Sequence, residues 1–388
     1  MSESKFPFKG QGYDYIFLGA GCASLSLLMR MIRSGKFTDK KILLIDKESK
    51  TKNDRTWCFW EKEMGFFEGI VYKKWDKLSF FSDEFSETLP ISPYQYKMIR
   101  GIDFYNYCFS ELEKNKNIDI YYGDLKDWRH HKDGLTFFIN DQQLHLPGAT
   151  IFNSIYKPGE DNSKIISLLQ HFKGWVIESD DTVFHPGIAT LMDFRVPQHH
   201  GATFVYVMPF SGTQALVEYT LFSKDLLSQR EYEEGLKNYI NDVLGIKNYR
   251  VIDNEFGIIP MTTKKFDFYT GFAYNIGVSG GQTKASSGYT FQFIQKQAAM
   301  IVDQLIKNKD LSKVSRTPGR FHFYDKVLLD VLHNKRVTGK DIFTSLFKKN
   351  KPQQVLKFLD NESSLAEEAK IISSLPAFPF LKAAFKQF

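Results

Sequence analysis

The 388-residue sequence has three cysteines, Cys22, Cys58 and Cys108, and no Cys-x-x-Cys pair. That leaves no basis for a zinc knuckle or a disulfide framework, and it fits a reducing compartment. No apolar run reaches the roughly 18 to 20 residues of a membrane-spanning helix. Met1 to Gln11 lacks the apolar core of a signal peptide. The expectation is a cytoplasmic protein, soluble or held peripherally at the inner face of the cell membrane. The net charge is only +6 and no recognition motif accompanies it, so nucleic acid is not an expected partner. His130-His131 and His199-His200 sit in polar stretches without a ligand pattern, so no metal is expected either. There is no internal repeat or low-complexity tract.

Aromatic side chains are plentiful, with 36 Phe and 19 Tyr. They fill cores or line a long apolar pocket; composition alone does not choose. The length suffices for two domains or one large composite one.

The organising stretch is Tyr13-Asp14-Tyr15-Ile16-Phe17-Leu18-Gly19-Ala20-Gly21-Cys22-Ala23-Ser24, followed by apolar residues at helical spacing. Lys41-Ile42-Leu43-Leu44-Ile45-Asp46 then reads as a second buried strand ending in an acid. Strand, small-residue turn, helix, strand and acid together are the pattern of a dinucleotide-binding βαβ unit. Gly19 permits the tight turn, and Gly21 lets backbone approach a pyrophosphate at the helix N-terminus. Asp46 is placed to accept from a ribose hydroxyl. Ser24 stands where the fingerprint has its third glycine.

Further on, Thr56-Trp57-Cys58-Phe59-Trp60 is an aromatic stretch that also reads as a core corner. A helix is expected from Ile102 to Lys114, and strand-like alternation over 172–178 and 202–221. A second helix is expected over 231–244. Leu135 to Leu146 reads as a hairpin turning at Asn140-Asp141. Tyr274 to Gly281 is a strand running into glycines, with a helix from Gly288 to Ile306. This late turn resembles the second flavin contact of FAD proteins. The expected fold is therefore α/β: a Rossmann-like, three-layer FAD/NAD(P)-binding domain with an antiparallel substrate sheet and a helical C-terminal region. Residues 1–55, 96–155 and 256–306 would form a discontinuous FAD domain. Residues 56–95 and 156–255 would form the substrate domain, and 307–388 the helical region. The basic and apolar C-terminus, including Lys348, Lys349, Lys382, Phe378, Phe385 and Phe388, reads either as a contact with an anionic membrane face or as a helical cap on the core.

One acid stands in the apolar strand Ala215 to Phe222: Glu218, sharing a face with Leu216 and Thr220. If the strand buries both faces, this carboxyl must be paired or have a raised pKa, which suits a general acid. If one face is solvated, it is an ordinary exposed position. Asp193, beside Phe194 and Arg195, is a second acid in an apolar setting and pairs most simply with Arg195.

Taken together, Gly19-Ala20-Gly21, Thr56 to Trp60, Pro209-Phe210-Ser211, Val217-Glu218-Tyr219-Thr220, Gly257-Ile258-Ile259-Pro260 and Gly288-Tyr289 resemble the flavoprotein-type lycopene cyclases. Those enzymes often carry a second acid directly after the first, where this chain has Tyr219, so only Glu218 is left to carry the acidic role. The late turn also lacks the Gly-Asp pair of related FAD monooxygenases. The resemblance implies a lycopene β-cyclase that closes ψ-ends to β-ionone rings, taking lycopene and related carotenoids. It implies FAD reduced by NAD(P)H, with no net redox change, and a membrane surface as partner. Glu218 would donate the proton, and Trp57, Phe59, Trp60 and Asp193 would stabilise the cation and line the polyene channel. Cofactor contacts would come from Gly19, Ala20, Gly21, Ala23, Ser24, Asp46, Lys47, Arg100, Gly280, Gly281 and Gly288. The alternative with the same opening turn is an FAD-dependent isoprenoid reductase or hydroxylase of geranylgeranyl reductase type. A third reading is a non-enzymatic carotenoid-binding protein on the same fold.

Overall fold

The computed structural model describes residues 12–131, 134–140, 142–146, 148–157, 165–314 and 318–387. Met1–Gln11, Asp141 of the expected hairpin turn, and Phe388 lie outside the described residues.

The first unit is β1 (Tyr15–Leu18), α1 (Cys22–Ser34) and β2 (Ile42–Asp46). β1 and β2 are near-continuous apolar runs because both faces of their sheet are covered. β3 (Thr56–Glu61), β4 (Lys73–Trp75), β5 (Lys77–Phe81), β6 (Ser86–Pro90) and β7 (Gln95–Arg100) follow, then α2 (Gly101–Glu113) and β8 (Ile118–Tyr122). Next come β9 (Leu125–His131), β10 (Gly134–Ile139), β11 (Gln142–Leu146) and β12 (Thr150–Asn153). The long strands are β13 (Ser167–Ser179), β14 (Ile188–Asp193), β15 (Ala202–Pro209) and β16 (Gln214–Ser223). After α3 (Gln229–Asn238), β17 (Tyr249–Thr262) and β18 (Ala273–Asn275) comes α4 (Phe291–Ile306). The chain ends in α5 (Gly319–His333), α6 (Gly339–Lys349), α7 (Pro352–Leu359), α8 (Leu365–Ser374) and α9 (Ala377–Phe385).

Two sheets position the site. One is parallel, in the order β18-β12-β1-β2-β8. The other has seven strands, β17-β13-β16-β15-β14-β5-β6, antiparallel except for the β14–β5 pair. Between them lies the small sheet β3-β7-β4. Strand alternation makes β3 a partition: Trp57 and Phe59 pack into the core of the parallel sheet, while Cys58 and Trp60 face the core of the large sheet.

Two expected helices differ in extent. Residues 231–244 form α3 and then a wider turn over Tyr239–Val243. The late helix starts at Phe291, not Gly288, because Gly288 has φ +72° and the preceding residues close a turn from Gly288 N–H to the Lys284 carbonyl at 2.8 Å. The C-terminal helices do act as a cap: Phe343, Leu346, Phe347, Val355 and Leu356 bury against Phe80, Phe194, Phe204 and Phe222 of the large sheet.

The absent third glycine is compensated by residues distant in sequence, Ser154 and Gly277. Ser24 is fully buried and donates to Ser154 Oγ at 3.1 Å, and Ser154 in turn donates to the carbonyls of Leu18 and Gly19 at 2.9 Å. Close packing on α1 is instead supplied by Gly277, whose φ is +64° and whose Cβ, if present, would lie 2.7 Å from Ala23 Cβ. Gly277→Ala is expected to cost on the order of 1–3 kcal/mol through backbone strain and overpacking, measured as a loss of stability in urea unfolding.

Candidate functional site

The opening turn is built for a ligand. Gly19 has φ +88°, and a Cβ there would collide with Ser154 Oγ at 2.7 Å. Gly21 is the N-cap of α1 and has no side-chain cap, so the first-turn amides are not consumed by a cap side chain. A Cβ at Gly21 would meet nothing nearer than 4.0 Å. Asp46 braces this turn: Oδ2 accepts the Ala20 N–H at 2.6 Å, and Oδ1 accepts from Glu48 N–H at 3.1 Å and Lys50 Nζ at 3.0 Å. The late glycines shape the neighbouring wall. Added Cβ atoms at Gly280, Gly281 and Gly288 would press on Asn275, Phe266 and Gln170.

A crevice of about 500 Å³ lies between the large sheet and Ser154, Val278 and Gly288, and Ser154 hydrogen-bonds the opening turn. Arg55, Trp57, Ser154, Val278 and Phe291 line one side, and Tyr206, Met208, Glu218 and Gly257–Pro260 line the other. The uncapped helix, the side-chain-free turn and the crevice between turn and sheet are what a dinucleotide with a flavin end requires, so the residues present fit FAD.

Glu218 lies inside this crevice, with 7% of its surface exposed. Every position of β16 after Gln214 is buried, because α3 covers one face and the crevice and C-terminal helices enclose the other. The exposed-position reading of Glu218 therefore does not hold. A second carboxyl joins it. Glu218 of β16 and Glu255 of β17 both pair with Gly174 of the intervening β13. A Cβ at Gly174 would sit 3.0 Å from Glu255 Cγ and 2.9 Å from Leu216 Cδ1. The missing side chain lets the two carboxyls meet. Thr220 donates to Glu218 Oε1 at 2.8 Å, and Thr56 donates to Glu255 Oε2 at 2.7 Å. Burial and the neighbouring Glu255 charge push Glu218 well above the usual carboxylate range. Glu255 is also raised, by burial and by the Asp253 charge, against hydrogen bonds from Thr56 and Glu218 that pull it down. Of the two, Glu218 is pushed further toward its protonated form.

The sequence had suggested that no second acid was left for this role; Glu255 supplies one from a different strand. Tyr96 and Tyr206 were also missed, and Tyr289 was named only as part of the Gly288-Tyr289 pair. They form a buried cluster beside Cys58, with Tyr289 hydrogen-bonded to the other two hydroxyls. Burial holds all three phenols above their ordinary value.

The expected aromatic wall is brought together only in part. Trp57 lines the crevice. Trp60 stands behind Tyr289, ring centroids 4.6 Å apart, and Phe59 points into the other core, stacked on Phe291 at 4.4 Å. Asp193 is not in the site. Its register partner Val205 belongs to the α3 side of the sheet, and there Asp193 is fully buried, paired with Arg195 at 2.6 Å and accepting from the Tyr239 hydroxyl at 2.8 Å. Arg100 is also elsewhere: it pairs with Asp103 at 2.6 Å and lies over the Tyr72 ring, and Arg55 occupies the crevice instead. Lys47 is exposed beside Glu48, while Lys50 takes Asp46. Among the described residues no cluster suits a metal. His199 and His200 are exposed.

The sequence profile described as lycopene cyclase protein matches residues 14–385, nearly the whole chain. The chain belongs to the lycopene cyclase family. No curated relative matches it. Solved structures show the fold at low identity. The flavin-dependent brominase Bmp2 is 11% identical with a TM-score of 0.63, covering 97% of this chain and 99% of its own. A flavoprotein/dehydrogenase from Cytophaga hutchinsonii is 12% identical with a TM-score of 0.63, over 97% and 100%. A geranylgeranyl bacteriochlorophyll reductase-like protein from Thermoplasma acidophilum is 12% identical with a TM-score of 0.56, over 97% of each chain. This member of the family thus has an FAD/NAD(P)-binding Rossmann-type α/β fold with an antiparallel sheet and a helical C-terminal region.

The raised carboxyl also affects stability. A native pKa above the ordinary 4.5 means that the folded state holds a proton which the unfolded chain releases, so this contribution is full below about 4.5 and is lost as pH rises through the folded value. Glu218→Gln removes it. Its melting temperature relative to the native sequence should rise between about pH 5 and pH 8, read by thermal unfolding at both pH values.

Proposed function

We propose that this protein is a lycopene β-cyclase, closing the ψ-ends of lycopene to β-ionone rings by way of γ-carotene. The observation that carries the reading is Glu218: a buried carboxyl, pushed toward its protonated form, in a crevice that reaches Ser154 beside the opening turn, in a chain of the lycopene cyclase family. Glu218 donates its proton to the terminal double bond. The internal alkene attacks the resulting cation, and loss of a neighbouring proton yields the ring. Trp57 and Tyr206, both lining the crevice, give the cation π-electron neighbours. Met208, Ile258 and Ile259 help exclude the water that would capture it as an alcohol. Gly19, Ala20, Gly21, Ala23 and Ser24 would hold the FAD diphosphate at the start of α1, with Arg55 and the 277–288 segment along the crevice. When bound and reduced by NAD(P)H, the flavin supplies an electron-rich ring that favours the cation electrostatically without net redox change.

The substrate dissolves in lipid, and α9 offers a contact for that phase. Phe378, Leu381 and Phe385 are 78%, 57% and 79% exposed at helical spacing, with Lys382 and Lys386 beside them. Among the described residues no helix is long and apolar enough to cross a membrane.

Expression in a lycopene-accumulating host should convert the pigment to γ- and β-carotene. Glu218→Gln should lower cyclisation by at least about a hundredfold while FAD still binds. Lycopene persisting beside folded, flavin-loaded protein would refute the reading, and NAD(P)H consumed one for one with product would favour the reductase instead. Replacing Phe378, Leu381 and Phe385 by serine should weaken co-sedimentation with vesicles containing anionic lipid about tenfold or more, without lowering the melting temperature.

A further inference from the structure

The two carboxyls over Gly174 face different spaces. Glu218 lines the crevice that Trp57 and Tyr206 also line. Glu255 lines a separate cavity of about 280 Å³, together with Asn53, Arg100, Gln214, Asp253 and Asn254. Thr56 lines both, and its hydroxyl is committed to Glu255. Glu255 Oε1 is buried and has no donor within the protein unless a carboxyl beside it carries a proton. A proton on Glu218 supplies that donor.

We propose that Glu218 and Glu255 act as a one-proton pair in which Glu255 is the permanently ionised, proton-positioning member. The division of labour follows from the surroundings. Thr56 and the polar side chains of that cavity, Asn53, Gln214 and Asn254, offer contacts to charge on Glu255, whereas Glu218 is buried with Cys58, Tyr206 and Met208 in its crevice and burial disfavours its charge. Cys58 of β3, Tyr206 of β15, Tyr289 before α4 and Asp253 of β17 also face the pair. The thiol and the phenols are pushed up by burial and stay neutral, so none supplies a compensating positive charge. Arg100 in the polar cavity is already committed to Asp103.

This inference rests on the cyclase reading and gives it a complete proton cycle. The Glu218 O–H bond breaks as the C–H bond to the terminal alkene forms. The pair then holds two adjacent carboxylates opposite a carbocation, which favours the cation electrostatically. Two buried carboxylates in contact repel, so the Glu218 carboxylate becomes a strong base. After the ring bond closes, the C–H bond next to the cation breaks and its proton returns to Glu218. No proton or electron is gained or lost overall.

The test compares the native sequence with Glu255→Gln, Glu255→Asp and Glu218→Gln in two measurements. The first is infrared detection of a buried protonated carboxyl, titrated without substrate. The second is the pH profile of cyclisation of lycopene in liposomes. The native protein should show the protonated band at neutral pH, and Glu218→Gln should lack it. Glu255→Gln removes the charge that keeps Glu218 protonated, so both the band and the alkaline limb of activity should move down by on the order of one pH unit or more. Turnover should fall about tenfold or more, because the returning base is weaker. Glu255→Asp keeps the charge and should shift back toward the native profile, which a purely structural role of Glu255 does not require. An unchanged titration in folded Glu255→Gln, or a band that survives in Glu218→Gln, overturns the pair. A normal titration with no cyclic product instead overturns the cyclase reading and leaves the pair standing.

Discussion

Two buried carboxyls pressed together above a missing side chain constrain this protein more than any other contact. Gly174 lies on the strand between Glu218 and Glu255, and any larger residue there would drive into the Glu255 stem and Leu216. Burying two like charges side by side is prohibitive, so one must hold a proton. The surrounding structure follows from that demand. Thr56 and Thr220 each satisfy one carboxyl oxygen, and α3 seals the back of the sheet. The C-terminal helices cover the remainder of the site-bearing face.

The partition strand β3 joins this pair to the dinucleotide turn. It gives Trp57 to the crevice, Thr56 to Glu255, and Cys58 and Trp60 to the core behind the tyrosine cluster. One short strand thereby fixes the separation between the region that fits a flavin and the acid. The fold is shared with enzymes named for bromination, dehydrogenation and reduction. A fold does not choose its chemistry; what sets this chain's crevice apart is a buried carboxyl pushed toward its protonated form.

Much was legible in the sequence because it rests on local physics. The apolar runs ending in Gly19 and Asp46, with a helix between them, announce a βαβ unit, and the structure has it. The alternation around Glu218 marked an acid among apolar neighbours. Other residues were misplaced because short-range pattern is silent about faces. Asp193 looks as apolar in its surroundings as Glu218, yet the β14–β15 register turns it to the α3 side, where Arg195 and Tyr239 neutralise it. Arg100 precedes a helix as a phosphate-binding residue would, yet Asp103, one turn on, captures it.

Local sequence was enough to mark the small-residue turn at Gly19–Gly21, the aromatic stretch at Thr56–Trp60 and Glu218 as an acid among apolar neighbours, since each is encoded within a few consecutive residues. The tertiary fold was needed to bring Glu255 against Glu218, to set Gly277 on α1 where Ser24 stands for a glycine, and to place Tyr206 and Tyr289 beside Glu218. The reason is separation along the chain. Glu218 and Glu255 are 37 residues apart by number (255 − 218), and they meet because a third strand, carrying Gly174, pairs with both of theirs. Spacing along the sequence does not carry that register.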